Sequence, residues 1–583
     1  MGAWFGRDGA GRQPVVTESP SSPLRRLLRP AGRLVEPKVA VVLLILLGLV
    51  GYPILLLVLQ SLNAGDPQVL PPQRIGLVNF ATVLGHLTWL RNSLLIACLG
   101  TILATSIGTA LAWLLNRLRI PAAGWFELLI VVPYPMGPLV AALAWIDLGS
   151  PHSGLVNRLF QQLSGAHWPL IDTLTVPGVV IVMAIFQAPV AFLMVSAAMR
   201  SMDPALEEVS AVLGAGKFAT AWRVTLPLMA PAVLGAALFL FISMIGAFAI
   251  PTMLGADSRF YPATTVIYTL FQGYPPNYPL AAALGMGIVA LALLAMVLYS
   301  RLLRGRSYTV IGSRTYQPHK LDVGRGQVPI LALLATYVGA VVVLPIAALI
   351  LASLQKGDMI VLDPSRWSLH SYHYVLLDYP VTRTAILDTL LLGVATGTVG
   401  GALAAVATWV VDRSRTRSAK VIEYVVTVIQ ALPGLIFTVG LLWMVLSIHL
   451  YGSLWALLIA YVAVFLPLAY RSLAGVVVQI SRSLEEAGKV CGGSGFRVAR
   501  TISVPLMRPG LVAAWMLLFM VSIQEIGAAI FLTGPNFPVL GPSIFNFWDS
   551  GALANVSALA VVQGAIVAVA LVALRRLGGA RLF

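Results

Sequence analysis

With only 22 Asp and Glu and 7 His in 583 residues, few side chains are equipped for chemistry, and their surroundings sort them. His370 and His373 stand three apart, which would put two imidazoles on one helical face as a metal site needs. The stretch Ser371–Leu376 nevertheless aligns with Asn79–Leu84, where no histidine occurs. It reads as an amphipathic preface to an apolar run, and no metal site is assigned. Cys98 and Cys491 have neither the number nor the spacing of a disulfide framework or metal cluster. A nucleotide site would need G-x4-G-K-[ST], whose loop amides cradle phosphates. Here Gly216-Lys217 is followed by Phe218, and no lysine follows Gly492-Gly493-Ser494-Gly495. We expect no catalytic residue and no cofactor on this chain. One carboxylate remains, Glu525, deep in an apolar run in Gln524-Glu525-Ile526-Gly527, whereas Glu127, Asp388 and Glu423 lie near run ends. At that depth an ionisable group either lines a polar pathway, where it attracts a cation, or makes an interhelical hydrogen bond.

The remaining charge is concentrated in a stretch that occurs twice. Leu206-Glu207-Glu208-Val209-Ser210-Ala211-Val212-Leu213-Gly214 runs on to Leu226-Pro227, and Leu484-Glu485-Glu486-Ala487-Gly488-Lys489-Val490-Cys491-Gly492 runs on to Val504-Pro505. From Glu208 to Gly214 and from Glu486 to Gly492 the step is six residues, and from each glycine to its proline thirteen, so the copies superpose without a gap at an offset of 278. Each copy opens with helix-start chemistry, Asp203-Pro204 in the first and the box Ser483-x-x-Glu486 in the second. Each closes on a glycine able to stop a helix in the left-handed conformation. A short polar helix and turn is therefore expected between apolar runs.

Those runs define the class. A chain that is 58% hydrophobic and 10% charged, with a mean hydropathy of +0.89, is a polytopic membrane protein rather than a soluble one. Twelve runs are long enough to cross a bilayer: 39–60, 92–116, 124–146, 176–199, 229–254, 279–300, 328–354, 385–411, 421–447, 453–470, 509–532 and 552–574. The first lacks a cleavage site and stays as an uncleaved span. The net charge of +16 would suggest nucleic acid in a soluble chain. With the N-terminus inside, however, 31 of the 38 Lys and Arg fall in cytoplasmic segments, which satisfies the positive-inside rule and leaves no nucleic-acid partner. Both duplicated stretches and both termini are then cytoplasmic, while Gly154 and Gly534 are external.

The duplication extends beyond the charged stretch. Asn92-Ser93-Leu94-Leu95, Trp113, Arg117 and Glu127 recur as Asp388-Thr389-Leu390-Leu391, Trp409, Arg413 and Glu423 at an offset of 296, which falls to 278 after a longer external loop around 148–175. Both halves have six spans and begin inside, so they are parallel repeats about an axis along the membrane normal. The expected organisation is a disordered basic tail (1–37), a first repeat (38–303), a cytoplasmic linker (304–327) and a second repeat (328–583). Breaks in the spans pair off as well. Pro133 to Pro138, including Pro135, matches Leu432-Pro433-Gly434, and Gln187-Ala188-Pro189 matches Leu466-Pro467. Unwound helix is tolerated only against protein or water, so these breaks, with Glu525, mark the expected pathway: Pro135, Pro138, Pro433, Gly434 and Glu525.

The duplicated stretch resembles the E-A-A-x3-G-x9-I-x-L-P signature of ABC-importer permeases. Glu208, Gly214, Val224, Leu226 and Pro227 match in the first copy, and Glu486, Ala487, Gly492, Ile502 and Pro505 in the second; Val209, Ser210, Gly488 and Val504 depart from it. The resemblance covers nearly everything after residue 38. It implies an all-α membrane protein of two parallel six-helix MetI-like repeats, working as the permease subunit of a type I importer in a bacterial inner membrane. It also implies a coupling set of Glu207, Glu208, Ala211, Gly214, Leu226, Pro227, Glu485, Glu486, Ala487, Gly492 and Pro505 that docks on an ABC ATPase dimer, where ATP-Mg is bound. An external binding protein would deliver the substrate. Two permease halves in one chain resemble the ferric-iron permeases, with thiamine permeases as near relatives, and Ser150–Asn157 is similar to a segment of the iron group. Polyamine, sulfate and phosphonate importers share the architecture, and an ion-coupled secondary transporter is the rival class.

Overall fold

The computed structural model describes residues 36–202, 205–303, 322, 324–357, 360, 363–414 and 416–578. The tail up to residue 35, nearly all of the linker before residue 324 and the Asp203-Pro204 cap lie outside the described residues. In hydrocarbon each backbone amide must be satisfied within its own segment, which leaves helices as the solution for these sequences. The described residues are accordingly helical and contain no β-strand.

Ten helices are long and apolar enough to cross: Pro37–Ser61, Thr88–Arg117, Val176–Ser201, Ala221–Ile245 and Tyr278–Leu303 in the first repeat, then Gln327–Ser353, Pro380–Arg413, Leu454–Val477, Gly495–Ile523 and Leu553–Gly578 in the second. The shortest, Leu454–Val477, has 24 residues; at about 1.5 Å per residue it is long enough to cross a hydrocarbon core of about 30 Å. The third and ninth spans are bent pairs, Ala123–Met136 with Pro138–Gly149 at 104° and Ser418–Gln430 with Gly434–Ser447 at 110°.

The chain's own contacts decide whether a bent pair crosses or turns back. Arg117, at the end of the second span, is bonded to Glu207, just after the fourth. The fourth span crosses once, so the third must cross too for those ends to meet. Arg413 and Glu485 impose the same parity on the ninth. Gln327 Nε2 donates to Arg119 O at 3.1 Å, and Ser414 Oγ donates to Glu36 Oε1 at 3.2 Å. The starts of the seventh and first spans therefore share that charge-rich face. On the opposite face Arg158 Nη1 donates to Ile360 O at 2.7 Å. That arginine belongs to a helix, Leu155–Ser164, which the second repeat lacks and which accounts for the longer loop. Six crossings per repeat result.

The repeats interlock. The first span packs on the ninth as well as on the sixth, and the seventh packs on the third as well as on the twelfth, so each repeat's leading helix clasps the other repeat's bent span. At one such crossing the contact is backbone to backbone: a Cβ on Gly440 would lie 2.1 Å from Pro53 O. Small residues of this kind let membrane helices approach closely where no hydrophobic force drives them together. One buried cluster joins residues of both repeats, among them Leu143, Ile288, Leu435 and Ile544.

Four expectations are corrected. The runs 229–254 and 509–532 are not single helices, because each breaks, after Ile245 and Ile523, and resumes at Ala249 and Ala529. Conversely, Pro189 and Pro467 do not break their helices, which continue from Val176 to Ser201 and from Leu454 to Val477; neighbouring helices tolerate the lost bond. The second charged helix starts at Arg482 with Ser481 as its cap, accepting from Ser483 N, so the Ser483-x-x-Glu486 box is not the start signal. Finally, Glu525 is not the only carboxylate that the spans shield from solvent. The third span extends to Gly149 and buries Asp147 to 6% exposure, with its Oδ2 on Ser557 Oγ at 2.9 Å.

Candidate coupling loops and central cavity

The duplicated stretches form helices Ala205–Val212 and Arg482–Val490. In each, the first glutamate turns inward. Glu207 Oε1 accepts from Arg117 Nε at 3.1 Å and from Thr225 Oγ1 at 2.7 Å. Glu485 accepts from Arg413 Nε at 3.0 Å, Ser503 Oγ at 2.7 Å and Trp409 Nε1 at 3.3 Å. Each loop is thus clamped to the end of the second or eighth span by a carboxylate that is itself largely buried, Glu485 to 5% exposure. Burial alone would raise the Glu485 carboxyl, but hydrogen bonds from Ser503, Trp409 and Arg413 together with the guanidinium charge hold it below the usual carboxylate range. The clamps are not equal. Arg413 also donates to the Asp412 carboxylate and, at 3.1 Å, to Ile480 O, whereas Arg117 Nη1 and Nη2 have no hydrogen-bond partner.

The other side of each loop faces outward. Glu486 and Ala487 are exposed. Val212 and Val490 are each 87% exposed, so each loop presents an apolar side chain on its outer side. Gly214 and Gly492 take φ of +83° and +85° and close the helices with the expected cap bonds, Ala215 N to Ser210 O at 3.1 Å and Gly493 N to Gly488 O at 3.0 Å. Among the described residues, nothing lies within 4 Å of where a Cβ would sit on either glycine. The departures Ser210 and Gly488 face the return helix: Ser210 Oγ lies 2.9 Å from Thr220 Oγ1, and a Cβ on Gly488 would be 3.1 Å from Val498 Cγ2. Pro227 and Pro505 sit at the second position of their helices, directly after wide turns at Ala221–Thr225 and Ala499–Ser503. Those turns absorb the missing amide, and the chain from Leu226 and Val504 continues as a span. Glu208 and Ala211 lie on the first helix, but their side chains fall outside the described residues. The sequence reading missed the clamp partners, although Arg117 and Arg413, and Thr225 and Ser503, already recur at the repeat offsets.

Where the repeats meet, the four breaks touch in a crossed pattern. A Cβ on Gly137 would lie 2.7 Å from Gln524 Cβ, and one on Gly246 would lie 2.2 Å from Pro433 Cβ. At the repeat offsets Gly137 corresponds to Pro433 and Gln524 to Gly246, so the two contacts are images of each other about the pseudo-twofold axis. Two chambers abut at this crossing. One, of about 340 Å³, is lined by Pro138, Gly434 and Glu525 with residues of both repeats. The other, of about 610 Å³, shares Ser243, Gly246, Gly434, Val464 and Phe465 with it and extends toward the charge-rich face past Pro433 to Tyr299 and Arg471. Of the expected pathway residues only Pro135, in the turn Tyr134–Met136, lines neither. Glu525 Oε1 accepts from Ala528 N at 2.8 Å and so caps the segment after the break, while the residue remains on the cavity wall.

Comparison with known proteins gives these features a family. The profile described as "Binding-protein-dependent transport system inner membrane component" matches residues 40–308 and 397–579. Over 465 residues the chain is 25% identical to the Fe(3+)-transport system permease protein FbpB 2 of Haemophilus influenzae, covering 78% of this chain and 83% of that protein. Over 494 residues it is 24% identical to the ferric transport system permease protein FbpB of Actinobacillus pleuropneumoniae, covering 82% and 69%. Among solved structures, a bacterial ABC transporter involved in the import of alginate aligns with a TM-score of 0.37 and 18% identity, over 43% of this chain and 88% of that one. The duplicated signature, the two six-span repeats and the two matched segments lead to one assignment: this chain belongs to the inner-membrane permease family of binding-protein-dependent transport systems, and carries both permease halves in one polypeptide.

Proposed function

We propose that the chain is the permease of an ATP-driven importer that takes ferric iron from an external binding protein and passes it to the cytoplasm. Both termini and both clamped loops are cytoplasmic in a bacterial inner membrane, and an ABC ATPase dimer carrying ATP-Mg docks on the loops. ATP closes that dimer and draws the loops together, the cavity opens outward to receive substrate, and hydrolysis reverses the motion. Iron as substrate is supported by the named activity of the two permeases above, each matched over most of its length.

The observation that carries the reading is the paired loop: two helices 278 residues apart, each locked to its repeat by an inward glutamate and each ending in an uncovered positive-φ glycine. A rigid lever with a bare outer face is what a second protein needs in order to push on a membrane domain. Any side chain at Gly492 is strained by roughly 1 kcal/mol in this conformation, too little to unfold the loop, but it projects into the space where a partner would sit. Gly492→Asp and Gly214→Asp are expected to reach the membrane at normal levels and to lose co-purification with the ATPase subunit. Normal co-purification of both variants would defeat the coupling assignment.

A further inference from the structure

The two repeats build the same scaffold around the central cavity but do not line it alike. At the offset of 278, Gln524 and Glu525 correspond to Gly246 and Ala247, and Gln187 and Ser243 to Phe465 and Val521. Each polar residue therefore has a small or apolar counterpart in the same structural position. The fifth span breaks on Gly246-Ala247-Phe248 just as the eleventh breaks on Gln524-Glu525-Ile526, so neither the break nor the packing demands the polar set. All four polar residues nevertheless line one cavity, together with Tyr134.

Their chemistry is uniform. Phenol, hydroxyl, carboxylate and two amides all present oxygen, and no Lys, Arg or His lines this chamber. The set is also incompletely satisfied. Gln187 is 7% exposed, and its Nε2 donates to Ser243 Oγ at 2.7 Å while its Oε1 has no partner. An unsatisfied acceptor buried in a membrane domain is costly, and a cation would satisfy it. The neighbouring chamber differs, with Arg471 on its wall and no carboxylate.

We propose that this cavity is a transit site for a hard, oxygen-seeking cation, with Glu525 supplying the charge and Gln187, Ser243, Gln524 and Tyr134 supplying oxygens that replace its water. Hard cations take oxygen ligands in this way. One carboxylate among neutral oxygens binds weakly, as a pathway requires, since the ion must be held enough to enter and little enough to leave. Beyond the Gly246–Pro433 contact the ion meets a chamber that does not retain it. An anion is disfavoured by the lone carboxylate and by the absence of a cationic side chain on the wall. The inference rests on the iron-import reading and assigns that reading its residues.

Terbium(III) is a suitable probe, being a hard trivalent ion whose luminescence is sensitised by a nearby tyrosine. In lipid nanodiscs the full-length permease is expected to give a saturable terbium signal that Tyr134→Phe weakens, Tyr461, whose hydroxyl lies 3.5 Å from Glu525 O, remaining as a second antenna. Glu525→Gln and Gln187→Leu should each weaken terbium binding at least tenfold, and Gln187→Glu, a shape-conserving change, should strengthen it at least tenfold. In the assembled transporter, Gln187→Leu should lower iron uptake at least fivefold in vesicles that contain wild-type amounts of the permease. Terbium titrations indistinguishable among wild type, Glu525→Gln, Gln187→Leu and Gln187→Glu would mean adventitious surface binding only and would overturn the site. Lost terbium binding with wild-type iron uptake would overturn its place on the pathway. Terbium binding does not depend on ATP, so a failure of ATP-driven import would count against the transport reading and leave the two outcomes distinguishable.

Discussion

The Arg–Glu clamps beneath the two duplicated loop helices make a prediction whose size follows from their geometry. Replacing Glu207 or Glu485 with alanine leaves a buried guanidinium without its carboxylate; the Arg117 and Arg413 side chains are 4% and 8% exposed. Breaking a buried pair in this one-sided way costs about 3–5 kcal/mol. The two sites should fall at different ends of that range. Arg413 keeps the Asp412 carboxylate and the Ile480 carbonyl, so Glu485→Ala belongs near 3 kcal/mol. Arg117 already lacks partners for Nη1 and Nη2, and Glu207→Ala strips it of the carboxylate on Nε as well, so it belongs near 5 kcal/mol. At about 1.4 kcal/mol per decade, hydrogen exchange of the backbone amides in 482–503 should accelerate by roughly 150-fold in the first variant, and in 205–225 by some thousands-fold in the second. Replacing both partners with leucine removes the orphaned charge, so Arg117→Leu with Glu207→Leu should recover most of the protection. Acceleration below about tenfold in both single variants, or a double variant no better than Glu207→Ala, would refute the claim that the inward glutamates hold the loops.

Three further outcomes are expected. Hydrogen bonding holds the Glu485 carboxyl below its unfolded value of about 4.3, so its contribution is complete above that pH and is lost only as pH falls through the lower, folded pKa; protection of 482–503, corrected for intrinsic rates, should stay flat from about pH 5 to 8, and a decline within that window would contradict the assignment. Cysteines at Leu163 and Tyr274, 87% and 100% exposed, should label from outside and one at Val490 only after permeabilisation, in a chain lacking Cys98 and Cys491; Gly154 and Gly534 are unsuitable, since a Cβ there would lie 2.5 Å from Ser150 O and 2.8 Å from Gly452 Cα. Gly440→Ala forces a methyl against Pro53 O and should destabilise the complex by about 1–3 kcal/mol or more, read as a lower melting temperature in detergent, while Gly401→Ala, with nothing within 4 Å of its Cβ position, should not.

Much of this architecture is legible in the residues because the bilayer imposes a simple rule on them. Apolar length gives the spans, and a gapless offset of 278 gives the repeat. Proline marked the bends of the third and ninth spans correctly, but the same residue misled at Pro189 and Pro467, where the helix continues through it. A missing amide is a local property, whereas whether it bends a helix is decided by what packs there. The breaks after Ile245 and Ile523 carry no proline at all. They form where Gly246 meets Pro433 and Gln524 meets Gly137, contacts between residues far apart in sequence. Motif spacing singled out Glu208 and Glu486, whereas Glu207 and Glu485 bond to Arg117 and Arg413, because only the folded loop decides which side of a short helix faces those arginines. Asp147 lies one residue past the apolar run as drawn from sequence, and only the extension of its helix to Gly149 takes it inside.

The most direct test of the central claim is substrate uptake by proteoliposomes containing this chain, its ATPase subunit and its binding protein. Accumulation of radioactive ferric iron loaded on the binding protein should require Mg-ATP on the side of the coupling loops. It should be unaffected by a protonophore and abolished by Gly214→Asp combined with Gly492→Asp in vesicles that contain normal amounts of the permease. Uptake that continues without ATP, collapses with a protonophore at constant ATP, or survives both glycine substitutions would contradict an ATP-driven importer worked through these two helices.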